Sequence, residues 1–126
     1  MILPQGEKVW WGPHTWLYWE DIRRVENDVF MEAKEVAYFN LPKASFPLAI
    51  RQRETGDRIL LKGMTNAKKV SRLFIDEKVS RALRDQLPVI VTSEDEVCAI
   101  PGLRYGSNFT KQKITESKYI FVVGTH

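Results

Sequence analysis

Apolar residues near the start of the chain fall in two short runs separated by a turn. Residues 9–11 and 15–19 are rich in tryptophan, and Gly12-Pro13-His14 between them is typical of a turn. This pattern predicts a β-hairpin. In an extended strand neighbouring side chains point to opposite faces. One face then carries Trp16 and Tyr18, the other carries Leu17 and Trp19, and neither can be a simple solvent face.

The segment that follows contains one stretch of ambiguous pattern and then two predicted strands. Residues 20–35 are mixed and charged, and predict either a short helix or a loose connection. Residues 36–39 and 46–51 are apolar and predict two strands. In the second strand Leu48 and Ile50 point inward, which places two bases together on the opposite face, namely Arg51 and Arg53. After a turn at Gly56-Asp57, an extended run resumes at residues 59–61.

The apolar period then becomes helical. Val70, Leu73 and Phe74 fall at i, i+3 and i+4, which predicts a helix with Thr65 or Asn66 as its N-cap. Three bases are left exposed together on the other side: Lys68, Lys69 and Arg72. A second short helix is predicted after Ser80 as its cap, stopped by Pro88. Its expected inward residues are Leu83 and Leu87, and its outward residues are Arg81 and Arg84.

The remaining pattern is that of strands. Residues 88–92 and 96–100 predict a second hairpin, and residues 118–123 predict a final strand. About seven strands and two short helices indicate an α+β domain, mainly an antiparallel sheet or sandwich. We expect residues 1–45 to form an N-terminal unit, the Trp-rich hairpin with its connecting segment, and residues 46–126 to form the C-terminal domain.

The charged residues of the chain are unevenly distributed, with most of the excess positive charge in one segment. The modest net charge of +3 conceals a segment from Arg51 to Arg84 with ten bases and four acids, a local charge of +6. A polyanion is the expected partner of such a segment. The bases come from successive elements that pack together, so we expect them to converge on one surface. They are Arg51, Arg53, Arg58, Lys62, Lys68, Lys69, Arg72, Lys78, Arg81 and Arg84.

The alternative for this basic segment is an ordinary solvated face, as on most charge-rich helices. Arginine outnumbers lysine six to four, and its planar guanidinium grips phosphates at two points. The only aromatic residue inside the segment is Phe74, which the periodicity buries. This scarcity argues against stacking on single-stranded bases and favours contact with the backbone of a duplex.

Other chemistry finds little support in the sequence. Two histidines and one cysteine give no ligand set for a metal, and no phosphate-binding loop for ATP is present. The acids beside the bases, such as Asp57, Asp76 and Glu77, are expected to be ion-pair partners rather than ligands for Mg²⁺ in a nuclease. The lone Cys98 and the absence of an apolar run of membrane-spanning length predict a cytoplasmic protein that does not contact a membrane.

Two parts of the basic segment carry a family resemblance. Residues 48–58 read Leu-Ala-Ile-Arg-Gln-Arg-Glu-Thr-Gly-Asp-Arg, and residues 68–78 read Lys-Lys-Val-Ser-Arg-Leu-Phe-Ile-Asp-Glu-Lys, with Arg84-Asp85-Gln86-Leu87-Pro88 after them. Together they resemble the C-terminal domain of bacterial tRNA(Ile)-lysidine synthetase. The resemblance covers about residues 46–104. It departs at Ser80, where the family often has proline, and at Ala99, where an aromatic residue is common.

The resemblance implies a function that the pattern alone does not give. The family enzyme uses ATP and lysine to convert the wobble cytidine of tRNA(Ile) to lysidine, and its catalytic Ser-Gly-Gly-x-Asp-Ser loop has no counterpart in this chain. The chain would thus be a non-catalytic tRNA-binding portion without its own cofactor. It would dock the tRNA, toward the acceptor stem, for an N-terminal catalytic domain of the same polypeptide. A fold like that of a domain of the phenylalanyl-tRNA synthetase β subunit is also implied.

A second function from another class remains open. The Trp-rich hairpin could pack on the catalytic domain, with the chain serving as a structural or protein-interaction module and the bases only keeping it in solution. The sequence also leaves a homodimer open.

Overall fold

The computed structural model describes residues 1–126, and twelve strands form two sheets in it. The strands are β1 (Ile2–Leu3), β2 (Val9–Trp11), β3 (Thr15–Asp21), β4 (Ala33–Phe39), β5 (Leu48–Gln52), β6 (Arg58–Ile59), β7 (Lys68–Lys69), β8 (Pro88–Val91), β9 (Val97–Ile100), β10 (Arg104–Tyr105), β11 (Phe109–Thr110) and β12 (Tyr119–Thr125). The helices are α1 (Val70–Asp76) and α2 (Arg81–Arg84), with 3-10 turns at Asn27–Glu32 and Lys43–Ser45.

The first sheet has the strand order β1-β5-β8-β9-β6-β7, with β10 paired to β9. All its pairs are antiparallel except β6 with β9. The second sheet has the order β11-β4-β12-β3-β2 and is antiparallel throughout. Its central strand, β12, pairs with β3 on one side and β4 on the other. The fold is therefore α+β and mainly antiparallel, as the sequence predicts.

The largest hydrophobic core takes side chains from both sheets. Leu48 and Ile50 of β5 share it with Leu17 of β3 and Phe121 of β12, and all four are fully buried. Aromatic rings fill much of the remaining space, with Trp19 stacked on Phe46 at 4.8 Å between ring centroids. Residues on both sides of position 45 thus contribute to one core, and the boundary expected there does not interrupt the packing.

Each sheet also buries its other face. On the first sheet, α1 packs Leu73 and Phe74 against strand residues such as Val89. On the second, Trp16 and Val122 form a smaller cluster with Val29 of the first 3-10 turn. The alternation expected in β3 is therefore confirmed, because its two faces lie in two different cores. None of the helices is long and apolar enough to cross a membrane.

Two local predictions about the helices are wrong, and one is confirmed. Lys68 and Lys69 form a strand paired with β6, so α1 begins at Val70 and its N-cap position is Lys69 rather than Thr65 or Asn66. The helical spacing is real, but pairing with β6 holds the two lysines extended. Leu83 is 44% exposed rather than inward, since α2 is a single turn that turns its apolar residue outward. The Ser80 cap is confirmed, because its hydroxyl accepts a hydrogen bond from the Leu83 amide.

Candidate nucleic-acid interface

Arg51 is held inside a network of acids at the end of β5. Its guanidinium donates to both Asp57 carboxylate oxygens at 2.9 Å and to Asp95 at 3.1 Å. These hydrogen bonds raise the pKa of Arg51. Burial alone would raise the pKa of Asp57, but the hydrogen bonds from Arg51 and from the Glu54 amide outweigh it and lower that pKa. Arg51 is therefore committed to the fold.

Arg53, two residues after Arg51 in the chain, is also held by contacts within the protein. Its guanidinium contacts Asp85 at 3.2 Å and lies over the Phe74 ring, 5.5 Å from the ring centre. The neighbouring Gln52 side chain also donates to the Asp85 carbonyl oxygen at 3.2 Å. These contacts tie the end of α2 to β5, and they hold the Arg53 charge close to the protein.

Asp76 gathers two more bases at the end of α1. It forms an ion pair with Lys68 and a second one with Arg72 at 3.3 Å, one helical turn earlier. Both bases lower the pKa of Asp76, the hydrogen bond from Lys68 having the larger effect. Arg72 nevertheless keeps two thirds of its side chain exposed, whereas Lys68 is three quarters buried. Arg72 can therefore also reach a ligand, and Lys68 is tied to the fold.

Two bases without an acid lie opposite each other at the edge of the first sheet. Arg58 of β6 is the cross-strand partner of Lys69 of β7, both are exposed, and neither forms an ion pair. The only hydrogen bond from the Arg58 side chain goes to the Ala67 carbonyl oxygen at 3.5 Å. Like charges directly opposite in a sheet are destabilising, so the fold alone gives no reason for this pair.

The remaining bases of the segment are also free of acids. Lys78 follows α1 with a left-handed φ of 56°, Arg81 begins α2, and Lys62 follows the β6 region. Arg84 donates from Nε to the Val79 carbonyl oxygen at 2.9 Å, which fixes its stem but leaves its charge uncompensated. We call the seven bases available to a ligand the outer bases: Arg58, Lys62, Lys69, Arg72, Lys78, Arg81 and Arg84.

The acids in and directly after the basic segment act as partners of bases, as the sequence predicts for Asp57, Asp76 and Glu77. Asp57, Asp76 and Asp85 take the ion pairs described above, and Glu77 pairs with Arg104. The structure contains no group of three or more His, Cys, Asp or Glu side chains that could hold a metal ion. Cys98 is buried, and burial raises the pKa of its thiol to about 12, so it is not a nucleophile.

Most of the Trp-rich hairpin belongs to the interior. Trp16 and Trp19 are buried, and the Trp19 ring nitrogen donates to the Leu3 carbonyl oxygen at 2.8 Å. Trp11 donates to the Gln86 carbonyl oxygen at 2.7 Å, which joins the hairpin to the segment after α2. Only Trp10 is substantially exposed, at 46%. The hairpin therefore offers one tryptophan, not four, to a base or to another domain.

Further bases lie outside the basic segment and were not identified from the sequence. Arg104 and Lys111 line a cavity of about 550 Å³ together with Lys62. Positions 62, 104 and 111 follow no sequence spacing that would associate them. They meet because β10 pairs with β9 and β11 pairs with β4, two short contacts that the apolar pattern does not reveal.

Three comparisons place the chain among known proteins. The family model described as "TilS substrate C-terminal domain" matches residues 48–121. A tRNA(Ile)-lysidine synthase of Staphylococcus aureus (strain MRSA252) is 38% identical over 104 residues, which are 82% of this chain and 24% of that protein. The enzyme of the same name from Bacillus subtilis (strain 168) is 48% identical over 62 residues, 49% of this chain and 13% of that protein.

The fold also matches a solved structure. A crystal structure described as that of the TILS C-terminal domain superimposes with a TM-score of 0.74 at 21% identity, covering 98% of this chain and 93% of that one. At this identity the match concerns the fold alone. The chain spans about a quarter of the length of the Staphylococcus aureus relative that it matches.

Proposed function

Because this chain belongs to the TilS substrate C-terminal domain family, we propose that it binds tRNA(Ile) through the outer bases and does no chemistry itself. The conversion of wobble cytidine to lysidine, with its use of ATP and lysine, would then take place in an N-terminal domain of the same polypeptide. That domain and the tRNA would be the two partners of this chain. No cofactor would be needed here.

The observation that carries this proposal is the uncompensated pair of Arg58 and Lys69. Two exposed bases face each other across β6 and β7 and neither forms an ion pair, although like-charged cross-strand pairs destabilise a sheet. Nearby bases of the same segment, Arg51 and Lys68, are each matched to an acid. A phosphate backbone would supply the negative charge that the protein does not.

The absence of exposed aromatic rings among the outer bases favours a duplex over a single strand as the ligand. No exposed aromatic ring lies among them, since Phe74 is fully buried beneath Arg53. Binding of single strands usually relies on such rings for stacking. Two strands, two short helices and two loops instead carry the outer bases, and contacts to the phosphates of a duplex need bases that are spread in this way. We propose the acceptor stem as that duplex.

The test is a binding titration of the 126-residue chain with tRNA(Ile) at several salt concentrations. The double variant Arg72→Glu, Arg81→Glu should bind at least tenfold more weakly, and its plot of log affinity against log salt should be flatter by about 0.7 to 0.9 per lost phosphate contact. The control is Arg24→Glu, Lys118→Glu, an equal charge change at exposed positions outside the basic segment. An equal loss of affinity in both double variants would mean that only the net charge matters and would overturn the assignment to the outer bases. An unchanged affinity in Arg72→Glu, Arg81→Glu would refute the proposal.

The acceptor stem is tested separately by footprinting. The chain should protect phosphates of that stem from hydroxyl radicals, and the protection should disappear in the Arg72→Glu, Arg81→Glu variant. Protection confined to the anticodon arm would refute the acceptor-stem assignment while leaving tRNA binding intact.

A further inference from the structure

A cavity at the free edge of β4 combines three bases with a buried carboxylate oxygen and a buried hydroxyl. It measures about 550 Å³ and is lined in part by Lys62, Arg104, Lys111, Glu35, Tyr105 and Phe109. β11 covers β4 only at Tyr38 and Phe39, so the cavity opens beside the uncovered part of the strand. Of these residues only Lys62 belongs to the outer bases, and the proposed contact with a duplex makes no use of the others.

Two polar atoms on the wall of the cavity are unsatisfied. Glu35 Oε1 and the Tyr105 hydroxyl are buried side by side, and neither makes a hydrogen bond of good geometry. Leaving such groups unpaired is costly, above all for a carboxylate. Burial and hydrogen bonding to the Glu35 carboxylate raise the pKa of Tyr105, so its hydroxyl keeps its proton and faces that carboxylate. The wall thus offers the Glu35 carboxylate to a ligand as an acceptor.

The bases around the cavity define the other part of such a ligand. Lys62 and Lys111 are exposed and form no ion pair, while Arg104 pairs with Glu77. Two free ammonium groups suit a phosphate. Phe109 lies on the wall behind them and is buried against Tyr105, with 5.2 Å between ring centres. The cavity therefore combines a phosphate site with a carboxylate acceptor on its wall.

We propose that this cavity binds one unpaired nucleotide of the RNA held by the outer bases, an inference that rests on the proposed function. The phosphate would contact Lys62 and Lys111, and Glu35 would accept a hydrogen bond from the exocyclic amino group of the base. Adenine, cytosine and guanine carry that group. Uracil does not, and its single ring N–H lies between two carbonyl oxygens that a carboxylate repels.

The first experiment is an NMR titration of the 126-residue chain with AMP, CMP, GMP, UMP and inorganic phosphate. The amides of Tyr105 and Phe109 should shift with the three amino-bearing nucleotides, with affinities of order 1 mM and at least fivefold above UMP. Glu35→Gln should abolish the preference over UMP while Lys111→Ala weakens all four nucleotides alike. Glu116→Gln, an exposed acid in the following segment, is the control and should change neither result.

Two outcomes would overturn base recognition in the cavity. Inorganic phosphate binding as tightly as the nucleotides, with the same shifts, would leave an anion site only. No shift with any nucleotide at about 10 mM, or an unchanged preference in Glu35→Gln, would remove the proposed ligand altogether.

The second experiment identifies the source of the nucleotide. An RNA hairpin with an unpaired 3′ overhang should bind at least fivefold more tightly than its blunt counterpart, and Glu35→Gln should remove that gain without changing the affinity for the blunt hairpin. Free nucleotides that bind without any gain from the overhang would refute an RNA source. Loss of affinity for the blunt hairpin would instead concern the outer bases, so the two proposals fail separately.

Discussion

Arg51 and Asp57 are joined by two hydrogen bonds of 2.9 Å, and this pair ties the end of β5 to the turn before β6. Arg51 is therefore part of the scaffold, with only 18% of its side chain exposed, and only 8% of the Asp57 side chain is exposed. The same segment thus holds two kinds of base. Those matched to acids shape the surface, and the outer bases are left to act on a ligand.

Asp57→Asn should destabilise the fold by about 2 kcal/mol at pH 7, between the values typical of exposed and fully buried pairs. Because the folded state lowers the pKa of Asp57, the pair stabilises the protein above the unfolded value of about 3.9, and this stabilisation is lost as the pH falls through the folded pKa. Urea denaturation at pH 7 and pH 3 checks both points.

The control for Asp57→Asn is Glu54→Gln, since Glu54 is mostly exposed and lies 3.8 Å from Arg51. It should change the free energy of unfolding by less than about 0.5 kcal/mol. An Asp57→Asn protein that keeps the wild-type difference in stability between pH 7 and pH 3 would contradict the role given to this pair.

Lys69→Glu should move stability and binding in opposite directions. Replacing the like charge opposite Arg58 by an opposite one should stabilise the fold by roughly 0.5 kcal/mol, whereas affinity for tRNA should fall. Lys69→Gln removes the positive charge without adding a negative one, so its effects on stability and on affinity for tRNA should both be smaller. Thermal unfolding and a filter-binding titration on the same samples measure the two, and a variant that loses stability together with affinity would contradict the interpretation.

Gly124→Ala should be strongly destabilising although no positive φ is involved. A Cβ atom at Gly124 would overlap the ring of Trp16, which is fully buried and has no room to move. Overpacking of this kind costs about 3 kcal/mol. In a Trp16→Leu background the same glycine change should cost much less, and denaturant titrations of the four proteins give the coupling energy.

The tryptophans of the hairpin should differ sharply in their effects. Trp16→Ala should remove about 4 kcal/mol of stability or prevent folding, because it opens a large cavity. Trp10→Ala should change stability by less than about 1 kcal/mol, since the ring is 46% exposed and its aromatic contact is an edge contact with His126. Circular dichroism melts compare the two. Similar losses would mean that Trp10 is more important to the core than its exposure indicates.

The long elements of the fold were predictable because their apolar periods are long enough to be unambiguous. The hairpin of Val9–Trp11 with Thr15–Asp21, the face of α1 and the final strand all follow from spacing alone. Two-residue strands such as β7, β10 and β11 have no period, so only their partners define them. The pairing of Lys68 and Lys69 with β6 is the clearest case.

The candidate interface was predictable in composition but not in detail. The sequence identifies ten bases, yet it does not show that Asp95 lies within 3.1 Å of Arg51 or that Asp85 reaches Arg53, because these partners are more than thirty residues away. The cavity beside β4 depends on three separate segments and could not be inferred from their order. Sequence reasoning identifies the charged region, and long-range packing decides which charges are free.

The position of β12 in the second sheet has a consequence for how the protein forms. Thr15 pairs with Thr125, and Asp21 with Tyr119, so β3 and β4 have no common neighbour until the last residues of this sequence have been made. On the ribosome β3 must therefore wait for its second strand partner, which is synthesised about one hundred residues later. Such distant pairings slow folding, and until β12 pairs with it, β3 keeps a free edge that is prone to aggregation.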